Sequence, residues 1–239
     1  SCAKGNCLII LPTGLGKTKT AILAAAQRLN SFPSSKILFL TVTKPLAEQI
    51  YNEVKECVDI DEDKIALFTG SVAPKKREEF WKNSIVTVST PQCVENDIIN
   101  GRLYLDNVSL LIADEAHNAV KDYAYTWVAK QYKTRSKYPR LIGLTASPGS
   151  GLERIQEVCK NLYIEEIEIR TDKDPDVRPY IHEIDIAQFT KASGLDMIIA
   201  HRLLKNQVPG DEYILLSGDY LKQAGQNHAH ATLNWFTHS

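Results

Sequence analysis

Six short apolar runs punctuate the first part of the chain: Cys7–Leu11, Lys36–Val42, Ile65–Thr69, Ile85–Ser89, Leu110–Asp114 and Leu141–Thr145. They are nearly continuous in Ile, Leu and Val. A strand with one wet face alternates apolar and polar residues; a strand covered on both faces does not. Between the runs lie helical stretches at Lys17–Leu29, Pro45–Cys57, Pro74–Lys82, Gln92–Ile99, Ala119–Tyr132 and Leu152–Leu162. Pro45 sits where proline suits a first helical position. Repeated strand–helix units predict an α/β fold: a doubly wound, mainly parallel sheet with helices on both faces and right-handed crossovers. In such sheets ligands sit beyond the carboxyl ends of the strands.

The chemistry-bearing segments all fall at those ends. The first run leads into Pro12-Thr13-Gly14-Leu15-Gly16-Lys17-Thr18 and then a helix. Gly14 and Gly16 permit positive φ and a close approach to an anion. The amides around Gly14–Thr18, at a helix start, would face phosphate. Lys17 would supply charge to the β- and γ-phosphates of ATP, and the Thr18 hydroxyl would ligate magnesium. The strict pattern has glycine at position 11, where this chain has Leu11. A turn that merely joins strand to helix is the plainer alternative, but strand, loop, Gly-Lys-Thr and helix occur here in the order a nucleotide needs.

The run Leu110–Asp114 leads into Asp114-Glu115-Ala116-His117. Two adjacent carboxylates at the end of a buried strand repel unless a cation or solvent separates them. Asp114 holding magnesium through water, with Glu115 polarising the attacking water, resolves the conflict. Solvated strand-end charges are the plainer alternative.

These segments resemble motifs I and II of superfamily 2 helicases, and further segments follow in that family's order. Thr43-Lys44-Pro45-Leu46 resembles motif Ia, Thr69-Gly70 the TG element, Thr90-Pro91-Gln92 motif Ib and Thr145-Ala146-Ser147 motif III. The wording of Leu11–Thr18, Thr43–Leu46, Thr90–Asp97, Asp114–Val120 with Tyr123-Ala124-Tyr125, Gly143–Gly149 and Asp176–Tyr180 is similar to the archaeal Hef and Fanconi anaemia M-type DEAH-box helicases. Dicer and the innate-immune RNA sensors are more distant relatives. The resemblance implies a first RecA-like P-loop NTPase domain over residues 1–186 and a C-terminal extension over 187–239, read as the start of an inserted helical region. It implies an ATP- and Mg2+-dependent helicase or translocase of DNA repair, acting on forked or branched DNA. It also implies Thr43, Lys44, Pro45, Thr69, Gly70, Thr90, Pro91 and Gln92 on the sugar-phosphate backbone. His117 would bond toward Thr145 and Ser147, which with Ala146 transmit the ATP state. Helix and turn capping is the plainer reading of the three threonines.

No segment resembles motifs IV, V or VI. The resemblance therefore implies that a second RecA-like domain, with its arginine finger, lies outside this chain and that the chain alone turns ATP over slowly. Two other readings stay open. One is a duplex-RNA sensor in which ATP gates grip; the other is a P-loop enzyme acting on a metabolite, against which the Thr90 and Thr145 elements argue.

The remaining signals are weaker. The net charge of −1 supplies no global pull on nucleic acid, so binding must be local. Lys130, Lys133, Arg135, Lys137 and Arg140, interleaved with Tyr132 and Tyr138, read as a solvated face, with base stacking as the alternative. The five cysteines are scattered without zinc-ligand spacing, and Cys7 and Cys93 read as buried thiols in a reducing compartment. No apolar run reaches the ~20 residues of a membrane span. The start carries neither initiating Met nor signal peptide, which suggests a trimmed piece of an intracellular protein, cytoplasmic or nuclear by host. Strand-like Ile181, Ile184 and Ile186 and a helix over Gly194–Asn206 are expected beyond the motifs.

Overall fold

The computed structural model describes residues 5–147, 151–171 and 174, together with two short strands at 212–214 and 235–237. The chain divides into two units, Ser1–Ile181 and His182–Ser239. In the second, Glu212–Ile214 pairs antiparallel with Trp235–Thr237. The expected strand at 181–186 and helix at 194–206 lie outside the described residues.

The first unit is built on a seven-stranded sheet. Its strands are β1 (Cys7–Ile10), β2 (Lys36–Leu40), β3 (Ile65–Phe68), β4 (Val86–Ser89), β5 (Val108–Ala113), β6 (Leu141–Thr145) and β7 (Glu166–Ile169). The order is β3-β4-β2-β5-β6-β1-β7, and every pairing is parallel. Six helices connect them: α1 (Lys17–Ser31), α2 (Lys44–Cys57), α3 (Pro74–Asn83), α4 (Pro91–Ile99), α5 (Ala124–Arg135) and α6 (Leu152–Asn161).

The continuous apolar runs are explained by two cores. Successive side chains of a strand leave opposite faces of the sheet. Cys7 and Ile9, Ile37 and Phe39, and Leu110 and Ile112 enter one core with Ala21, Ile22 and Ala25 of α1 and Ala47, Ile50 and Val54 of α2. Leu8 and Ile10, Leu38 and Leu40, and Leu111 and Ala113 enter the other with Trp81, Val94, Val128 and Val158 of α3 to α6. Any one-residue slip in register would exchange the two sets.

Two differences from the sequence expectations have physical causes. α5 starts at Ala124 rather than Ala119, because a 3-10 turn over Ala116–Asn118 and a left-handed Lys121 at φ 53° occupy the intervening chain. β7 escapes a search for continuous apolar runs because it is an edge strand. It reads Glu-Ile-Glu-Ile, pairs among the described residues with β1 alone, and leaves Ile167 and Ile169 exposed.

Candidate nucleotide site and nucleic-acid edge

Leu11–Gly16 joins β1 to α1. Gly14 and Gly16 sit at φ 80° and 74°, the left-handed region that a side chain resists. α1 starts with neither a side-chain cap nor an acidic residue in its first turn, so its free N–H groups and positive dipole end face the loop. Lys17 Nζ donates to the carbonyls of Leu11 and Pro12 at 3.3 Å each. Burial pushes the Lys17 ammonium below its ordinary value, and the carboxylates of Glu115 and Asp114 partly offset this. A half-buried cation on two long carbonyl contacts, beside uncapped amides, has the donor chemistry of a polyphosphate site.

Asp114 follows β5, and its N–H donates to the Leu40 carbonyl of β2 at 2.8 Å. The buried Thr41 hydroxyl donates to Asp114 Oδ2 at 3.2 Å. Burial, then the neighbouring Glu115 charge, pushes the Asp114 carboxyl above its ordinary value. Glu115 is held in the left-handed region at φ 50° and ψ 47°, where a non-glycine residue is strained by roughly 1 kcal/mol or more. Among the described residues no three His, Cys, Asp or Glu side chains gather as a metal cage. Magnesium is ordinarily held by one or two carboxylates plus water and substrate phosphate. The half-buried pair Asp114 and Glu115, facing Lys17 across the sheet end, fits an ion completed by its ligand.

His117 lies within a closed set of hydrogen bonds. The Asn118 amide donates both to the Glu115 carbonyl at 3.0 Å and to His117 Nε2 at 3.1 Å. Nε2 is therefore an acceptor, which puts the proton of the neutral ring on Nδ1. Nδ1 lies 3.1 Å from Thr145 Oγ1 and 3.2 Å from Glu115 Oε2. Thr145 Oγ1 donates its own proton to the Ser147 carbonyl at 2.8 Å and accepts the Ser147 N–H at 3.2 Å. The acid, the histidine and the Thr145–Ser147 turn thus form one connected set. Ala146 lies half-buried within that turn.

The sheet order divides this edge in two. The phosphate loop, Thr145 and Asp114 follow β1, β6 and β5; Thr43, Thr90 and Thr69 lie beyond β2, β4 and β3. Backbone bonds continue the ladder past the strand ends: Leu11 N–H to Thr145 O, Thr41 N–H to Ser89 O, and Thr90 N–H to Phe68 O. Thr43, Lys44, Pro45, Gly70 and Gln92 are exposed, while Pro91 is buried and Thr90 half-buried. Thr43 caps α2 by accepting the Leu46 N–H at 3.4 Å; Thr90 makes no such cap for α4. The Thr69 hydroxyl is buried and pairs with Ser71 Oγ at 2.8 Å. At that turn the groups open to a ligand belong to Gly70 and Ser71, not to the Thr69 side chain.

A family model for the DEAD/DEAH box helicases matches residues 2–155, well over half of the chain. The chain belongs to the DEAD/DEAH box helicase family. A second model, for a protein of unknown function, matches residues 179–213. The crystal structure of the Pyrococcus furiosus Hef helicase domain matches with a TM-score of 0.76 and 42% identity, over 86% of this chain and 43% of that one. A Methanocaldococcus jannaschii protein, provisionally named an ATP-dependent RNA helicase, is 48% identical over 77% of this chain and 23% of its own length. The ATP-dependent DNA helicase mph1 of Sclerotinia sclerotiorum is 40% identical over 77% and 15%. The mouse Fanconi anemia group M protein homolog is 38% identical over 74% and 9%. The chain thus spans under a quarter of the length of these curated relatives.

Two residues of this helicase domain brace the site in ways the sequence did not declare: Thr41, which carries no signal of its own, and Tyr125, which is marked only as part of the Tyr123-Ala124-Tyr125 wording. Thr41 holds Asp114 but reads as one more residue of a strand. Tyr125 of α5 is buried and its hydroxyl reaches the carbonyls of both Leu40 and Asp114, bracing the two strand ends. The basic stretch at 130–140 lies at the opposite edge of the sheet, since it precedes the start of β6. There Tyr132 is buried with its hydroxyl on the Arg140 backbone, Tyr138 packs on Phe32 with centroids 4.7 Å apart, and Lys133 covers the Tyr163 ring at 4.0 Å. The Tyr132 ring is thus closed to a base, while Tyr138 stays 54% exposed. Cys7 is buried, but Cys93 is only half-buried. Among the described residues no helix is long and apolar enough to cross a membrane.

Proposed function

We propose that residues 1–186 are the ATP- and magnesium-binding half of a DNA helicase or translocase that acts on forked or branched DNA in repair. The observation that carries this is the divided edge: nucleotide-type groups on β1, β6 and β5, and exposed backbone-contact elements on β2, β4 and β3, in one rigid sheet. Lys17, Thr18 and the amides from Pro12 to Gly16 take the phosphates. Thr18 and Asp114 hold magnesium, which when bound neutralises charge on the phosphates. Glu115 orients and deprotonates the attacking water, and His117 passes the state of the site to Thr145, Ala146 and Ser147. Thr43, Lys44, Pro45, Gly70 and Gln92 line the nucleic-acid path, with Thr69, Thr90 and Pro91 shaping the turns behind them, and contacts to phosphate there carry no sequence information. A second RecA-like domain of the whole protein completes the ATP site. Such a role places the whole protein inside the cell with its DNA. The DNA preference is supported by the names of the mph1 relatives.

A duplex-RNA-dependent ATPase is the second reading, and the name of the Methanocaldococcus relative favours it. Binding of the chain to forked DNA and to duplex RNA of matched sequence decides between them, measured over a salt series with and without magnesium and an ATP analogue. Tighter, salt-sensitive binding to forked DNA is expected. Preference for duplex RNA would reverse the assignment.

A further inference from the structure

Three buried or half-buried charges take no part in the nucleotide site. Arg77 lies in the first turn of α3 and Asp97 in α4; they are 6% and 1% exposed. Arg77 Nε and Nη2 donate to Asp97 Oδ2 and Oδ1 at 2.6 and 2.9 Å, a bidentate fork. Its remaining nitrogen, Nη1, donates to the Val72 carbonyl. Arg102 Nε donates to Asp97 Oδ1 at 2.8 Å, and the N–H groups of Arg102 and Leu103 reach the Asp97 carbonyl at 2.8 and 3.2 Å.

A buried ion cluster is a poor source of stability, because apolar side chains of equal volume serve as well. What it does supply is direction, since the guanidinium presents its donors in a fixed plane. Here two donors are fastened to α4 and the third to Val72. Val72 closes the turn after β3, its N–H donating to the Thr69 carbonyl at 3.0 Å. α4 opens with Pro91 and exposed Gln92, directly after Thr90. The cluster therefore ties the Thr69–Ala73 loop to the helix that carries the Thr90 turn.

We propose that Arg77 and Asp97 are positioning residues that hold these two loops as one preset surface for successive phosphates of a nucleic-acid strand. The proposal rests on the nucleic-acid reading of the loops given above. A loop fixed before binding avoids the ordering cost that a loose loop would incur on contact.

Arg77→Lys keeps the charge and loses the fork, so it separates position from electrostatics. Three readouts apply to the parent and variant chains: amide hydrogen exchange, affinity for single-stranded and forked DNA over a salt series, and affinity for an ATP analogue. In Arg77→Lys, exchange at Gly70, Ser71 and Val72 should quicken about tenfold. DNA affinity should fall about tenfold, while its salt slope and the ATP-analogue affinity stay at the parent values. Asp97→Asn should do the same. If it fails to fold, Arg102→Gln, at a side chain 24% exposed, serves as the second variant and should show a smaller loosening of the same amides. Folded Arg77→Lys with parental exchange and parental DNA affinity overturns the proposal. A reduced salt slope also overturns it, because it would make Arg77 a direct phosphate contact. A parent chain that binds neither DNA nor RNA instead removes the nucleic-acid reading of these loops and this proposal with it, and leaves the nucleotide reading standing.

Discussion

Asp114 stands in partial conflict with its surroundings, because Lys17 and the Thr41 hydroxyl only partly offset burial and the Glu115 charge. Burial and Glu115 raise its pKa, so the folded state prefers the protonated carboxyl. The sign of the linkage follows. The folded value lies above the unfolded one, so this group favours the folded state most at acid pH, and that advantage is lost as pH rises through the folded value. At neutral pH the ionised side chain is a net cost to the fold. Asp114→Asn removes that cost, and the expected result is a higher melting temperature, by a few degrees for about 1 kcal/mol, with loss of magnesium-dependent ATP-analogue binding. A lower melting temperature would mean that the Thr41 bond outweighs the desolvation. Asp114, Glu115 and His117 could all be read from the sequence, because their types and spacing declare the chemistry. Thr41 could not: a threonine at the end of an apolar run is also good strand-forming material, and only the pairing of β2 with β5 reveals its partner.

At the scale of elements, the site depends on how closely the Ala116–Asn118 turn lies over β6. Gly143 is the reason. A Cβ there would stand 3.0 Å from Leu8 Cδ1 and 3.1 Å from Ala116 Cβ, closer than side chains ordinarily pack. Gly143→Ala should therefore cost ~1–3 kcal/mol as an overpacked core position. It should also lift the turn that carries His117, so denaturant unfolding and ATP-analogue affinity should weaken together. Unchanged values would show that Leu8 and the turn yield freely. The strands that are covered on both faces were legible as continuous apolar runs. β7 was not, since an edge strand needs neither continuous apolarity nor length. The start of α5 was also misplaced, because Ala119–Tyr123 has a helix-like composition while the left-handed Lys121 forbids the helix.

For the whole molecule, the phosphate loop lies along the carboxyl ends of the strands, with Thr13, Gly14 and Gly16 exposed. Two cavities of about 200 and 170 Å3 lie at the opposite end of the strands, each lined by Arg28 and Arg140 among others. Lys17 lies at the phosphate loop, and the proposed second domain would add an arginine finger, worth ~10³–10⁵ in rate. The chain by itself should thus hydrolyse ATP well below ~1 s⁻¹, the low end of ordinary enzymes. Joining it to the second domain, in the presence of DNA, should restore turnover; a fast isolated chain would place the missing cation within these residues. The order of apolar runs and the motifs after them determined the fold class and the nucleotide-type loop, because burial on both faces and phosphate chemistry each leave a local mark in residue type. The sheet order was decided only in three dimensions. Which strands become neighbours depends on packing between segments far apart in the chain. That packing brings Thr41 to Asp114 and His117 to Thr145, ties Arg77 to Asp97, and sends the basic stretch at 130–140 to the far edge.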